Sequence, residues 1–228
     1  MSYDGLAARL AGVRIRIAAA QRRGGWTHPV SVIGVTKGHD ATAIAAAYHA
    51  GLVDVGENRV QEALAKQEEA GPLPLRWHLI GSLQRKKVKQ IAGRFEWIHS
   101  VDRLELVSEL ARWTEGGRPQ RVLVEVNCSG EAEKAGADPS VARDIVEAVL
   151  ESPTMVFDGL MTMAALTEDR TEQRRAFGRL RGLKEEIERA GHPVHHLSMG
   201  MSGDFEAAVE EGATMVRLGT ILFGEREP

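Results

Sequence analysis

The residues able to do chemistry fall at two places in the chain. Lys37 closes an apolar, β-rich run, VSVIGVT at 30–36. An amine held at the end of such a run is partly desolvated, loses its charge more readily than an exposed lysine and becomes a nucleophile towards carbonyl carbon. The plain alternative is a strand-end lysine that reaches solvent. The second place is HHLSMGMSGDFEAAVEEGATMVRLGTILFGE at 195–225, which reads as strand, tight loop, helix, strand, tight loop. Its first loop is Ser198-Met199-Gly200-Met201-Ser202, followed by a short helix at 204–211 that Gly212 stops; its second is Gly219-Thr220. Gly/Ser/Thr loops at strand ends expose backbone N–H groups, and one that opens a helix adds the positive end of a helix dipole, so the pair suits a phosphate. Arg217 lies just before the second loop, where phosphate pairing or a salt bridge would also account for it.

The elements that must position these groups follow from the spacing of apolar residues. Residues 4–23 read as an amphipathic helix on Leu6, Leu10, Val13 and Ile17, ended by Gly24-Gly25. Strands are then expected at 30–36, 53–56, 77–80, 97–101, 121–127, 157–162, 195–198 and 214–218. Helices are expected at 41–50 with Asp40 as its cap, at 58–69 with Asn58 and Gln61 as a capping box, and at 84–92, 102–113, 138–150 and 169–190. Eight strand–helix alternations argue for a parallel sheet. With one extra N-terminal helix they suggest a (β/α)8 TIM barrel spanning 1–228 as a single domain. An open doubly wound sheet is the rival, and no GxGxxG follows the first strand to support it.

In a barrel, Lys37, Glu57, Asn58, Gly81, Asp102, Asn127, Ser202 and Thr220 all fall at or near C-terminal strand ends and share one face, the face that carries active sites. His78 lies within the third strand, and the methionines at 155–163 and 199–215 are expected to line the interior. A strand-end amine beside a phosphate site points to a phosphorylated aldehyde. Pyridoxal 5′-phosphate (PLP) is one candidate and a sugar-phosphate aldolase substrate the other. An arginine at the pyridine nitrogen would keep that nitrogen unprotonated and the ring a weaker electron sink than an aspartate would.

Composition excludes several classes. The chain has 228 residues, 43% of them hydrophobic, and a net charge of −3 from 29 basic and 32 acidic residues, so no basic excess points to nucleic acid. The lone cysteine, Cys128, allows no internal disulfide and fits a reducing cytoplasm. The N-terminus lacks a signal-peptide layout, and no apolar run approaches the roughly 18 residues of a membrane span. His195-His196 resembles a metal pair, but neighbouring strand residues point to opposite faces, so no metal site is expected. Arg85-Lys86-Lys87 with Lys89 reads as a solvated basic helix face, with a phosphate or RNA contact as its other reading.

With those residues in view, the chain resembles the pyridoxal phosphate homeostasis family, often called YggS or PROSC, over nearly its whole length. VTK at 35–37, GENRVQE at 56–62, WHLIGSLQ at 77–84, HSVD at 99–102, GLMTM at 159–163 and LSMGMSGDFEAAVEEGATMVRLGTILFGER at 197–226 carry the resemblance, the last most specifically. Two departures stand out: Lys86 where the family usually has asparagine, and Thr36 where serine is commoner. The resemblance implies the barrel of PLP fold type III, similar to the N-terminal domain of alanine racemase. It also implies that Lys37 is the internal aldimine lysine and that Arg217 faces the pyridine nitrogen. Ser202, Gly219 and Thr220, with Met201 and Ser198, would hold the phosphate, Asn58 would lie beside the ring and His78 near it.

The family is regarded as supplying PLP to apo-enzymes and influencing amino-acid and keto-acid balance, without an established turnover. A two-base racemase needs a second acid/base opposite the lysine. In alanine racemase it comes from a second, β-rich domain, for which only eight residues remain after Thr220; Tyr3 and Tyr48 fall on expected outer helices. The expected function is therefore a monomeric cytoplasmic PLP carrier, with a low-efficiency amino-acid racemase as the alternative.

Overall fold

A computed structural model describes residues 3–131 and 134–225. Residues 132 and 133 in the 128–138 loop, and Arg226 at the end of the family-like run, lie outside the described residues.

Eight short parallel strands form the centre: β1 Ser31–Val35, β2 Asp54–Glu57, β3 Arg76–Leu79, β4 Trp97–Val101, β5 Gln120–Glu125, β6 Met155–Met161, β7 His196–Ser198 and β8 Met215–Leu218. Each pairs with the next, and β8 pairs back onto β1, so the sheet closes into a barrel and the open-sheet alternative is excluded. The helices are α1 Leu6–Gly24, α2 Thr42–His49, α3 Val60–Ala70, α4 Val88–Ile91, α5 Leu104–Thr114, α6 Pro139–Leu150, α7 Arg170–Arg189, α8 Phe205–Glu210 and α9 Thr220–Phe223.

The main core lies between barrel and helices. α7 turns Ala176, Phe177, Leu180, Leu183 and Ile187 inward, a stripe at helical spacing. Each large side chain buried there contributes about 1.5–3 kcal/mol relative to exposure. Asp169 fixes where α7 starts, its carboxylate accepting from Thr171 N at 2.8 Å, and Asp138 does the same for α6 through Ser140 N, also at 2.8 Å. The extra helix α1 buries Leu6, Leu10, Val13, Ile17 and Ala20 against α8 and α9. It thereby braces the segment that joins the two Gly/Ser/Thr loops. No helix among the described residues is long and apolar enough to cross a membrane.

Three local expectations need correction. The basic segment is not one helix over 84–92: Arg85–Lys87 forms a 3-10 turn and only Val88–Ile91 is α-helical. Val88 and Ile91 are its only buried side chains, which anchors a single turn. The Asn58/Gln61 capping box does not form. α3 starts at Val60 behind an extended Arg59, and Gln61 donates instead to Gln90 Oε1 at 3.4 Å. Asn58 is held at the strand end, against Gly81. Nor do all the methionines line the interior. Met161 and Met215, with Met163 against them, pack inside the barrel with Ile33, Trp97 and Leu123, whereas Met155 and Met199 join the outer core.

Candidate functional site

Period-two alternation carries Ile33 and Val35 into the barrel, and Lys37, half-buried in the turn two residues past β1, stands at the C-terminal rim. Its flanks are fixed from behind. The Lys66 ammonium on α3 donates to Thr36 O at 2.7 Å, to Glu57 Oε1 at 2.6 Å and to Glu62 Oε1 at 2.8 Å. Thr36 Oγ1 donates to Glu57 Oε1 at 2.6 Å, and Gly38 N donates to Glu62 Oε1 at 2.6 Å. The peptides before and after Lys37 are thus clamped to one ion cluster, buried at Lys66 and Glu57 and partly exposed at Glu62. Burial pushes the Glu57 carboxyl above its ordinary range, against the pull of Lys66 and Thr36, and Glu57 Oε2 has no hydrogen-bond partner among the described residues. Glu62 is also desolvated, but bonds from Lys66 and Gly38 N bring it below the usual range.

Strand pairing sets the neighbours. Val35 aligns with Gly56, so Lys37 and half-buried Asn58 each follow the paired C-terminal ends of neighbouring strands β1 and β2. The next rim loop sits directly on Asn58: a Cβ on Gly81 would lie 2.3 Å from Asn58 O, so only glycine allows that approach. Ser100 Oγ secures the loop by donating to Gly81 O at 2.8 Å.

On the other side of β1, Ile33 aligns with Arg217. Arg217 is 4% exposed and inside the barrel. Its Nη1 donates to Ser198 O at 2.7 Å and to Ser198 Oγ at 2.8 Å, and its Nη2 donates to Thr162 O at 2.9 Å. Burial lowers its pKa to about 10, with Glu125 and Asp204 supporting the charge, so it stays cationic at neutral pH. Burial and the nearby Asp102 raise Glu125 to about 7, with Arg217 opposing.

The two Gly/Ser/Thr loops converge above Arg217. Arg217 N donates to Gly200 O at 2.9 Å, and Ile221 N donates to Ser202 Oγ at 3.4 Å. Asp204 shapes the first loop by accepting from Met201 N at 2.5 Å. Gly219 sits above Val35, its Cβ position 3.4 Å from Val35 O.

Of the expected residues, Lys37, Asn58, Met201, Ser202, Gly219 and Thr220 gather at the rim, with Arg217 just beneath. Met201 spends its N–H on Asp204. Ser198 lies lower, fully buried between His99 and Arg217. His78 is deeper still, between Asp54 and His99 and stacked on Trp97 at 4.8 Å. His195 is exposed whereas His196 turns towards Trp97 and Asp158, and no group of three or more His, Cys, Asp or Glu could hold a metal among the described residues. Buried Cys128 has its thiol pushed up to about 11 by desolvation, which makes it unreactive. Lys66, Glu62, His99, Thr162, Glu125 and Asp204 were not foreseen. Only the Glu62/Lys66 spacing of four and the inward alternation of His99 with Trp97 leave a trace in the sequence.

Comparison with known proteins gives the family. The family described as alanine racemase, N-terminal domain, matches residues 9–227. A pyridoxal phosphate homeostasis protein of Pseudomonas aeruginosa is 44% identical over 224 residues, 97% of this chain and 96% of its own. One from Aquifex aeolicus is 43% identical over 222 residues, 96% of this chain and 97% of its own. The chain belongs to the pyridoxal phosphate homeostasis protein family. Among solved structures, PipY of Synechococcus elongatus with PLP bound is 38% identical, with a TM-score of 0.84, covering 96% of this chain and 100% of that one. The pyridoxal phosphate homeostasis fold is therefore the alanine racemase N-terminal barrel, and in this member the rim of that barrel carries Lys37, Ser202, Gly219 and Thr220 above Arg217.

Proposed function

We propose that this chain binds PLP at the rim of a single barrel and takes part in intracellular PLP homeostasis by supplying the cofactor to apo-enzymes. The observation that carries this reading is the convergence of an amine, a buried cation and two Gly/Ser/Thr loops on one side of the barrel, at β1, β7 and β8. These residues fit the group. Arg217 is a permanent donor bound by carbonyl and hydroxyl oxygens, with no carboxylate in contact among the described residues. Such a group suits an unprotonated ring nitrogen. When bound, PLP supplies an aldehyde that condenses with a lysine amine, water being lost. Lys37 Nζ is the amine in this reading, and its clamped backbone orients it. Ser202, Gly219 and Thr220 hold the phosphate, and Asn58 lies at the ring's side. Ser198 is left out of the phosphate set because its hydroxyl serves Arg217, and Met201 contributes its position rather than its N–H. The PLP-bound relative at 38% identity supports the reading.

Slow amino-acid turnover is a second reading. Glu125, a buried carboxyl raised to about 7 near Arg217, is its one supporting feature, because such a group can exchange protons at neutral pH. A racemisation assay on the wild type and Glu125→Gln separates it from carriage.

The test is PLP titration by absorbance, then borohydride reduction and peptide mapping, then transfer to an apo-enzyme. A visible band and a phosphopyridoxyl group on Lys37, both lost in Lys37→Ala, are expected. An unmodified Lys37, or an adduct that persists in Lys37→Ala, overturns the assignment.

A further inference from the structure

A line of buried polar groups runs through the barrel from its N-terminal mouth to Arg217. Asp54 Oδ1 lies 3.0 Å from His78 Nε2, and His78 Nδ1 lies 2.9 Å from His99 Nε2. His99 Nδ1 lies 2.9 Å from Ser198 Oγ, which accepts from Arg217 Nη1 at 2.8 Å. Each of these residues is less than 5% exposed. At the mouth, Arg76 closes the line with two bonds to Asp54, at 2.7 and 2.6 Å.

The protons along this line have one consistent order. Burial alone would raise Asp54, but hydrogen bonds from His78 and Arg76 keep it below its ordinary range, so it is ionised and only accepts. His78 therefore carries its proton on Nε2. Burial lowers His78, and burial with the neighbouring positive groups holds His99 well below its ordinary range, so both imidazoles are neutral and each has one N–H. With Nε2 of His78 protonated, its Nδ1 accepts, and His99 must donate from Nε2. His99 Nδ1 then accepts, so the Ser198 hydroxyl proton points to His99. The Ser198 oxygen is left with lone pairs, and Arg217 supplies the N–H. Donation runs from Arg217 through Ser198, His99 and His78 to Asp54. The charged or titratable groups acting on the two rings are Asp54, Arg76, Glu96, Arg217 and His196, besides each other.

We propose that Asp54, His78 and His99 are positioning residues for Arg217: they orient the Ser198 hydroxyl so that Arg217 is held in one pose as a donor, with its remaining N–H groups left for the ring nitrogen of the cofactor. The cofactor half of this statement rests on the PLP reading above. The arrangement differs physically from a direct ion pair. A carboxylate on Arg217 would hold it but cancel most of its field. Here the carboxylate that ends the line is separated from Arg217 by three neutral side chains, so orientation is imposed while the charge survives. Neutral spacers also explain why two histidines, rather than a lysine or a second acid, fill the barrel centre.

The experiment is nitrogen-15 NMR of the histidine rings in PLP-free wild-type protein, combined with PLP titration of His99→Phe and Ser198→Ala. Both His78 and His99 are expected as neutral rings protonated on Nε2 at neutral pH. Either ring protonated on Nδ1, or charged, overturns the proposal, whatever the variants do. In the variants, loss of one ordering hydrogen bond is expected to weaken PLP binding about tenfold. It should also give the bound cofactor a pH-dependent spectrum where the wild type is flat, while borohydride still fixes PLP on Lys37. Variants with wild-type affinity and spectrum would show that the line does not position Arg217. If wild-type protein takes no borohydride adduct, the PLP reading fails, and the NMR result still decides the proton order.

Discussion

The carbonyl oxygen of Thr36 accepts a hydrogen bond from the buried ammonium of Lys66 at 2.7 Å, which ties the peptide before Lys37 to helix α3. The same ammonium pairs with Glu57 and Glu62, and Glu62 in turn receives Gly38 N. Lys66→Met leaves Glu57 buried without its cation. Removing one partner of a buried pair costs about 3–5 kcal/mol. Urea unfolding should show a loss of that size, with a slower reaction of Lys37 with PLP. The double variant Lys66→Met/Glu57→Leu should recover part of the stability but not the reaction rate. A single variant as stable as the wild type would mean that the cluster is not what holds the rim.

Arg217 has no carboxylate in contact among the described residues, so its charge acts on whatever occupies the rim. In PLP-loaded protein, Arg217→Glu should favour protonation of the ring nitrogen, because a carboxylate there stabilises the cation that the arginine repels. The absorbance spectrum should then change with pH over a range where the wild type stays constant. Identical spectra would remove Arg217 from the ring nitrogen.

Gly200 has a φ of +94°, and a Cβ there would lie 2.6 Å from Ala208 Cβ and 2.9 Å from Phe205 Cα. Gly200→Ala therefore combines backbone strain with overpacking, together about 2–4 kcal/mol. The loop carrying Ser202 should move off α8. Binding of PLP should weaken more than binding of pyridoxal, which lacks the phosphate. Equal weakening for the two would place the phosphate elsewhere.

The barrel was legible because each strand is a short β-rich run followed by a helix-length segment, and eight such units leave few other closures. The rim was legible for the same reason: Lys37, Asn58, Ser202 and Thr220 follow strand ends. What lay hidden is the direction of polar side chains inside short strands. Ser198 reads as part of a Ser/Gly loop, yet it ends β7 with its hydroxyl inside the barrel. Glu62 and Lys66 read as a surface pair at a spacing of four. They become a clamp on the rim, with Lys66 buried, because α3 turns Val60, Ala63 and Lys66 towards the sheet. Glu57 and Thr36 meet only through strand pairing, which local sequence does not display. Interior partnership among charges depends on closure of the whole barrel, and no window of neighbouring residues contains it.

Glu125 ties the stability of the fold to pH. Its carboxyl is 2% exposed and raised from 4.5 to about 7, first by burial and then by Asp102, with Arg217 opposing. A carboxyl with a raised folded pKa holds its proton in the native state while the unfolded chain has already released it. Its contribution is complete below about pH 4.5, falls as pH rises towards 7 and is lost above that. The shift corresponds to at most about 3 kcal/mol. Glu125→Gln keeps the shape and removes the titration. Between pH 5 and pH 8 the variant should gain stability relative to the wild type by up to that amount in denaturant unfolding. A stability difference independent of pH would mean that Glu125 does not titrate in this range. The proton-exchange argument for slow turnover would then fail with it.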